Sequence, residues 1–229
     1  MEQVALLHYE SQGWTGVHTE RYIICTLLEL LISDIIWDPS SSASSYHGGC
    51  GYLHRLQPGP CELIHCGSNF ASRRRRVLNA RLAAIAKFTD EQLRSELDLC
   101  WDKVACANRT DIAGDVTSNL GGQFNRSEVI DAALAIGSQR IVAIMKLCLR
   151  DLEQSFWGVP DLLLWKTGTK EIFFVEVKSE RDQLNNGQKS WLTLLEQIGC
   201  PSKVARIICA APDTNLKKGQ QTSTKRQKL

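Results

Sequence analysis

Three charged residues in the last third of the chain are spaced for work on a phosphate ester. Asp161 stands just before an apolar run, LLLW at 162–165, and Glu176 and Lys178 stand at the end of a second run, IFFVEV at 172–177. Between the runs lies KTGTKE, with Gly168 as the turn residue, so the pair predicts a β-hairpin. Residues two apart in a strand point to one face, which puts Glu176 and Lys178 side by side. An acid and a lysine on an otherwise apolar strand must be solvated, paired or metal-bound. Asp161 can converge on them across the hairpin. Two such carboxylates suit a hard divalent cation such as Mg²⁺, which keeps water and takes substrate phosphate oxygens. The cation lowers the pKa of a bound water, and a lysine stabilises the extra charge on five-coordinate phosphorus. The same spacing also suits a surface hairpin with a Glu–Lys pair, and spacing alone does not separate the two.

The elements that must position these residues are legible in outline. Residues 2–10 read as a helix that ends before the turn-like SQGWTG, and Thr19 to Trp37 as a strongly apolar helix stopped by Pro39, with Glu20 in its first turn. The segment 39–70, with SSSASS, GGCG and PGP, is a low-complexity loop. RRRRVLNARLAAIAKF restores helical spacing, and TDEQ at 89–92 is a capping box for a helix that buries Leu93, Leu97, Cys100 and Trp101. Polar residues 107–126 read as a connection. Further helices start near Ser127 and after Gly137-Ser138, the second carrying Ile141, Ile144, Met145, Cys148, Leu152 and Phe156 on one face. After the hairpin, Trp191, Leu192, Leu195 and Ile198 mark a helix closed by Gly199, and VARIICAA (204–211) reads as a buried strand. The order predicts an α/β fold, a small mixed sheet flanked by helices with a helical N-terminal part.

Composition narrows the class. The chain has 229 residues and a net charge of +2, with the basic excess gathered in Arg73–Arg76 and in the tail from Lys217 onward. The nine cysteines (25, 50, 61, 66, 100, 106, 148, 200 and 209) are odd in number and lack a CxxC pair, which suits reduced thiols in a cytosolic or nuclear protein. MEQVALLHYES lacks the basic start and long apolar core of a signal peptide, and the run at 22–37 is interrupted by Glu29 and Asp34, so no membrane partner is expected. The arginine run suits either phosphate contacts or a solvated helix start. The histidines and cysteines between His47 and Cys66 match no standard zinc spacing. His18 reads as a helix-start histidine.

The hairpin block resembles the VRR-NUC domain of the Fanconi-associated nuclease family, a branch of the PD-(D/E)xK superfamily. That family's signature, GxPDL followed by a hairpin and xVEVKxxxDxLxxxQxxWL, is matched by Gly158, Pro160, Asp161, Leu162, Val175, Glu176, Val177, Lys178, Asp182, Leu184, Gln188, Trp191 and Leu192. Upstream, His18-Thr19-Glu20 and the following apolar helix are similar to its HxE motif, and FASRRRRVLNARL to its arginine-containing helix. The resemblance implies a restriction-endonuclease-like core. It implies Glu20, Asp161, Glu176 and the Val177 carbonyl as ligands of Mg²⁺ or Mn²⁺, Lys178 as the catalytic lysine, and Gln188 as support. It further implies a structure-specific DNA nuclease of phosphodiesterase I type, a 5′-flap endonuclease or 5′–3′ exonuclease. Its expected setting is nuclear DNA repair, including interstrand cross-link repair, on branched, flapped or nicked DNA and beside repair-complex proteins. The alternative is a shortened, catalytically weak DNA-binding or interaction module of the same fold. The chain departs from the pattern in two places: Thr19 and Arg21 replace the glycines that usually flank the helix Glu, and Ser179-Glu180 replaces Gly-Pro after the lysine. The expected organisation is N-terminal helices including the core helix (1–38), the low-complexity loop (39–70), a helical segment (71–157), the VRR-NUC core (158–211) and a disordered basic tail (212–229).

Overall fold

The computed structural model describes residues 1–36, 68–107, 124–150 and 156–208. Trp37, Pro39, Leu152, the His/Cys group at 47–66 and the basic tail lie outside the described residues.

The predicted hairpin forms. Strand β2 (Leu162–Trp165) pairs antiparallel with β3 (Ile172–Ser179), from Leu162↔Val175 to Trp165↔Ile172. Gly168 takes φ +82 in the turn, a conformation that costs glycine little. A strand missed in the sequence, β1 (Thr15–His18), adds to the other side of β2, and β4 (Ser202–Ile207) pairs parallel to β3. The result is a mixed four-stranded sheet in the order β1-β2-β3-β4. Parallel neighbours need a crossover, supplied between β3 and β4 by a helix over Asn186–Gln197.

Alternation along β2 and β3 divides the core in two. Leu163, Trp165, Ile172 and Phe174 face the larger cluster, and Leu162, Leu164, Phe173, Val175 and Val177 face a smaller one. Helix α1 (Glu2–Glu10) covers the smaller cluster with Ala5 and Leu6, and Tyr9 and Trp14 meet the Phe173 ring edge-on. The larger cluster is built by α2 (Tyr22–Leu31), α3 (Ser33–Ile36), α4 (Ser68–Arg73), α5 (Arg75–Ile85), α6 (Asp90–Ala107), α7 (Arg126–Ile136), α8 (Ser138–Cys148) and the crossover helix α9 (Asn186–Gln197). Phe174, wholly buried at its centre, contributes about 3–5 kcal/mol by the usual cost of truncating a core Phe to Ala.

Helix signals held where capping chemistry was explicit. Thr89 and Gln92 bond reciprocally at 2.9 and 3.3 Å ahead of α6, and Asn125 and Glu128 do the same ahead of α7. Arg126 ties α7 back to α6 through Asp98 and Asp102.

Four expectations need correction. The helix predicted over Thr19–Trp37 begins only at Tyr22, because the Thr19 and Glu20 N–H groups are taken by the Asp161 carbonyl at 2.7 and 3.2 Å. Glu20 therefore precedes the helix instead of lying in its first turn, and His18 ends a strand. The helix also breaks at Ile32, where the backbone leaves the helical region (φ −126, ψ 20). The described part of VARIICAA is not a buried strand: β4 runs from Ser202 to Ile207 at the sheet's edge, with Val204 38% exposed, and residues 209–211 lie outside the described residues. The arginine run is not one helix start: the helix is interrupted at Arg74, which is buried with its guanidinium 4.6 Å from the centre of the Phe70 ring. The helix that carries Ile141, Ile144, Met145 and Cys148 ends at Cys148, and Leu149 and Arg150 form a turn.

Candidate active site

Continuing the β2–β3 register by one step places Asp161 opposite Glu176, on the face that carries Phe174 and Leu163. The two carboxylates are thereby directed to one point. Asp161 is also the junction of three strands. Its carbonyl accepts from Thr19 and Glu20 beyond the end of β1, and its Oδ2 accepts the Val177 N–H at 2.7 Å.

Glu176 is 1% exposed, the only fully buried carboxylate among the described residues. Lys178 Nζ lies 2.8 Å from its Oε1, and Gln188 Nε2 donates to the same oxygen at 2.5 Å. Both donors sit on one oxygen, and Oε2, buried as well, has no hydrogen-bond partner among the described residues. Burial pushes the Glu176 carboxyl above the usual carboxylate range, against the hydrogen bond from Lys178. Burial likewise raises Asp161, opposed by the Val177 N–H. A buried carboxylate oxygen without a donor is costly in a dry site and is suited to a cation.

Gln188 is held at both ends. Its side-chain Oε1 accepts the Asn185 N–H at 2.9 Å, and its own N–H donates to Asn185 Oδ1 at 2.9 Å, a capping box that starts α9. The amide is thus locked with its NH₂ toward Glu176. The helix start is in turn seated against the turn before Asp161. Gly158 has φ +92, and a Cβ there would lie 2.4 Å from the Gln188 nitrogen; a Cβ on Gly187 would lie 2.7 Å from the Trp157 carbonyl. Two glycines facing each other allow backbone to touch backbone. Asn185 and Gly187 were not singled out in the sequence, although N-x-x-Q ahead of an apolar helix is a readable capping signal.

The loop after Lys178 is also fixed. Asp182 Oδ2 accepts the Ser179 N–H at 3.1 Å, and Arg206, beside Lys178 in the parallel pairing, donates to the carbonyls of Ser179, Glu180 and Asp182. Val177 is buried and its side chain faces the smaller cluster, away from the carboxylates.

Glu20 stands apart from this group. Its carboxylate is 55% exposed and lies 3.6 Å from His18 Nε2, and Arg21 lies against the Tyr22 ring, not against Glu20. Among the described residues no three His, Cys, Asp or Glu side chains form a cluster able to hold a metal ion. Its backbone is nonetheless tied to Asp161, and at φ +41 it is the only non-glycine residue with left-handed backbone among those described. Such strain in a residue other than glycine costs about 1–2 kcal/mol. The glycine expected of the family at position 19 is a buried threonine whose hydroxyl donates to the Glu20 carbonyl at 2.7 Å.

Residues 115–207 match the model of the VRR-NUC domain. Similarity to known proteins extends beyond the matched residues over most of the chain. A Fanconi-associated nuclease 1 homolog of Schizosaccharomyces pombe is 27% identical over 202 residues, 85% of this chain and 25% of that protein. Human Fanconi-associated nuclease 1 is 26% identical over 209 residues, 91% of this chain and 19% of that protein. The chain therefore spans about a quarter or less of the length of these relatives. Its fold is that of the crystal structure of paFAN1 bound to 2nt 5′ flap DNA with gap, at a TM-score of 0.70 and 21% identity over 92% of this chain and 35% of that one. The VRR-NUC signature and the site coincide: Asp161, Glu176, Lys178 and Gln188 all fall within the matched residues.

Proposed function

We propose that this chain is a metal-dependent nuclease that hydrolyses phosphodiester bonds at flapped or nicked ends of DNA, in nuclear DNA repair. The observation that carries the reading is the buried Glu176 carboxylate facing Asp161, with both its donors on Oε1 and Oε2 left without one. That donor set fits a divalent cation, Mg²⁺ or Mn²⁺, because Mg²⁺ needs only one or two carboxylates and completes its shell with water and phosphate oxygens. Asp161, Glu176 and the Val177 carbonyl would hold it, with Glu20 as a further carboxylate once its side chain leaves His18. When bound, the cation supplies an activated water and neutralises charge on the phosphate.

The chain's own residues do the rest. Lys178, 13% exposed at its side chain, presents a charge next to Glu176 where negative charge grows on the phosphate oxygens. Gln188 keeps the Glu176 carboxylate from rotating. The Val177 N–H holds Asp161 in the orientation that leaves its second oxygen for the site. The flap substrate is supported by the 5′ flap DNA bound to the fold's structural neighbour, and the nuclease activity by the relatives, which are Fanconi-associated nucleases.

The test is cleavage of 5′-flap and nicked duplexes with Mg²⁺ or Mn²⁺ by wild type, Asp161→Ala and Lys178→Ala. Wild type is expected to cut, and each variant to lose on the order of 10²–10³-fold, the usual worth of one transition-state contact. Variants that cut as fast as wild type, or a wild type that leaves every duplex intact, would overturn the reading.

A further inference from the structure

Five of the chain's six tryptophans are described, and four of them are buried or half-buried: Trp14, Trp101, Trp165 and Trp191. The fifth, Trp157, is 75% exposed. Leaving an indole in water forgoes one of the largest burial gains available to any side chain. Trp157 is also anchored at its base. Its carbonyl touches Gly187 and the next residue, Gly158, is packed on the Gln188 backbone, so the exposed ring is carried by the same contact that seats Gln188 on Glu176. Four Cα steps of about 3.8 Å each keep its Cα within about 15 Å of Asp161.

We infer that Trp157 is a DNA-binding residue that stacks on a nucleobase close to the phosphate being cut. The inference rests on the nuclease reading and adds a substrate contact to it. Nucleotides follow one another at about 3.4 Å along a duplex strand, so a ring borne on a Cα within about 15 Å of the Asp161 Cα meets a base within a few nucleotides of the cut. A stacked base must show an open face, which a paired, continuous helix does not offer and a flap or a nick does. Every base has a π-face, so the contact favours open ends without reading sequence. A rigid backbone under the ring lowers the ordering cost of stacking. The packing of its backbone on the helix start that carries Gln188, the partner of Glu176, favours a nucleic acid over a protein as its partner.

The experiment measures binding of a 5′-flap duplex by fluorescence anisotropy with Ca²⁺ replacing Mg²⁺, for wild type, Trp157→Ala and Trp157→Phe. 2-Aminopurine is placed in turn at each nucleotide flanking the cut. Stacking predicts a quenched position with wild type that brightens with Trp157→Ala. It also predicts a dissociation constant about 5- to 150-fold higher for that variant, and recovery of most of the affinity by Trp157→Phe. An abasic nucleotide at the quenched position should weaken wild type and leave Trp157→Ala unaffected. The melting temperature should not move, since the ring is exposed. If wild type cuts the flap while Trp157→Ala binds and cuts equally well, the inference falls, the nuclease reading stands, and the indole is left to a protein partner. A wild type that neither binds nor cuts overturns both.

Discussion

Gly158→Ala offers a stringent check on how the site is assembled, because its cost can be worked out in two parts. The first is backbone: at φ +92 an alanine is strained by about 1–2 kcal/mol. The second is steric. The new Cβ would stand 2.4 Å from the Gln188 nitrogen and 2.5 Å from the Gly187 carbonyl carbon, backbone atoms that cannot swing aside as a side-chain tip can. Forced overpacking of this kind costs about 1–3 kcal/mol. The sum is about 2–5 kcal/mol, or a separation of the two segments that carries Gln188 away from Glu176. Gly168→Ala is the control: it has φ +82 and nothing within 4 Å of its Cβ, so only the backbone part applies. Urea unfolding of both variants isolates the steric part as their difference. Cleavage by whatever Gly158→Ala folds should fall by about 10²-fold, the penalty of a misplacement near 1 Å, while Gly168→Ala keeps wild-type activity. Equal destabilisation by the two variants, or unimpaired cleavage by Gly158→Ala, would refute the claim that this contact sets the position of Gln188.

Two further outcomes concern protons and metal. Burial raises the Glu29 carboxyl to about 7. The folded state then keeps a proton that the unfolded chain has lost, so stability falls as pH rises from about 4.5 to about 7, by roughly 3 kcal/mol for this one group. Glu29→Gln should flatten that slope in denaturant titrations at pH 5 and pH 8; an unchanged slope would show that Glu29 does not titrate within the fold. Asp161 and Glu176 are raised in the same direction, and a bound cation favours their ionised forms. Mn²⁺ should therefore raise the melting temperature more at pH 8 than at pH 5, with a stabilisation at pH 8 of about 2.7 kcal/mol at a hundredfold excess over its dissociation constant there. The same rise in Glu176→Gln would place the metal elsewhere.

What the sequence made legible was what short-range chemistry encodes. The hairpin could be read because two β-rich runs flank a glycine turn, and Asp161, Glu176 and Lys178 because charge interrupts apolar alternation. The capping box at Thr89 was legible for the same reason. β1 was not: it has four residues, includes Gly16 packed against Leu164, and owes its existence to a partner strand some 150 residues away in sequence. The place of Glu20 was hidden likewise, since helical spacing continues smoothly through Thr19 and only the distant Asp161 carbonyl unwinds the helix start. β4 has the composition of a buried strand, and its position at the edge depends on how many strands the sheet contains. The interlock of Gly158 with Gly187 is a contact between two backbones, which no pattern of side chains announces.

The Asp161 carbonyl that accepts from Thr19 and Glu20 also sets an order of events in folding. β1 can pair only after β2 exists, so a chain emerging from the ribosome must carry its first strand unpaired through well over a hundred further residues. Closing so long a loop slows folding more than it lowers final stability. Asp161 gains its last backbone partners only when that loop shuts. Partly made or misfolded copies thus hold a hairpin bearing Asp161, Glu176 and Lys178 while the Asp161 carbonyl lacks its partners and Glu20 is still far from the site. Cutting power, on the proposed reading, arrives with the closing of the sheet and is withheld from the incomplete chain.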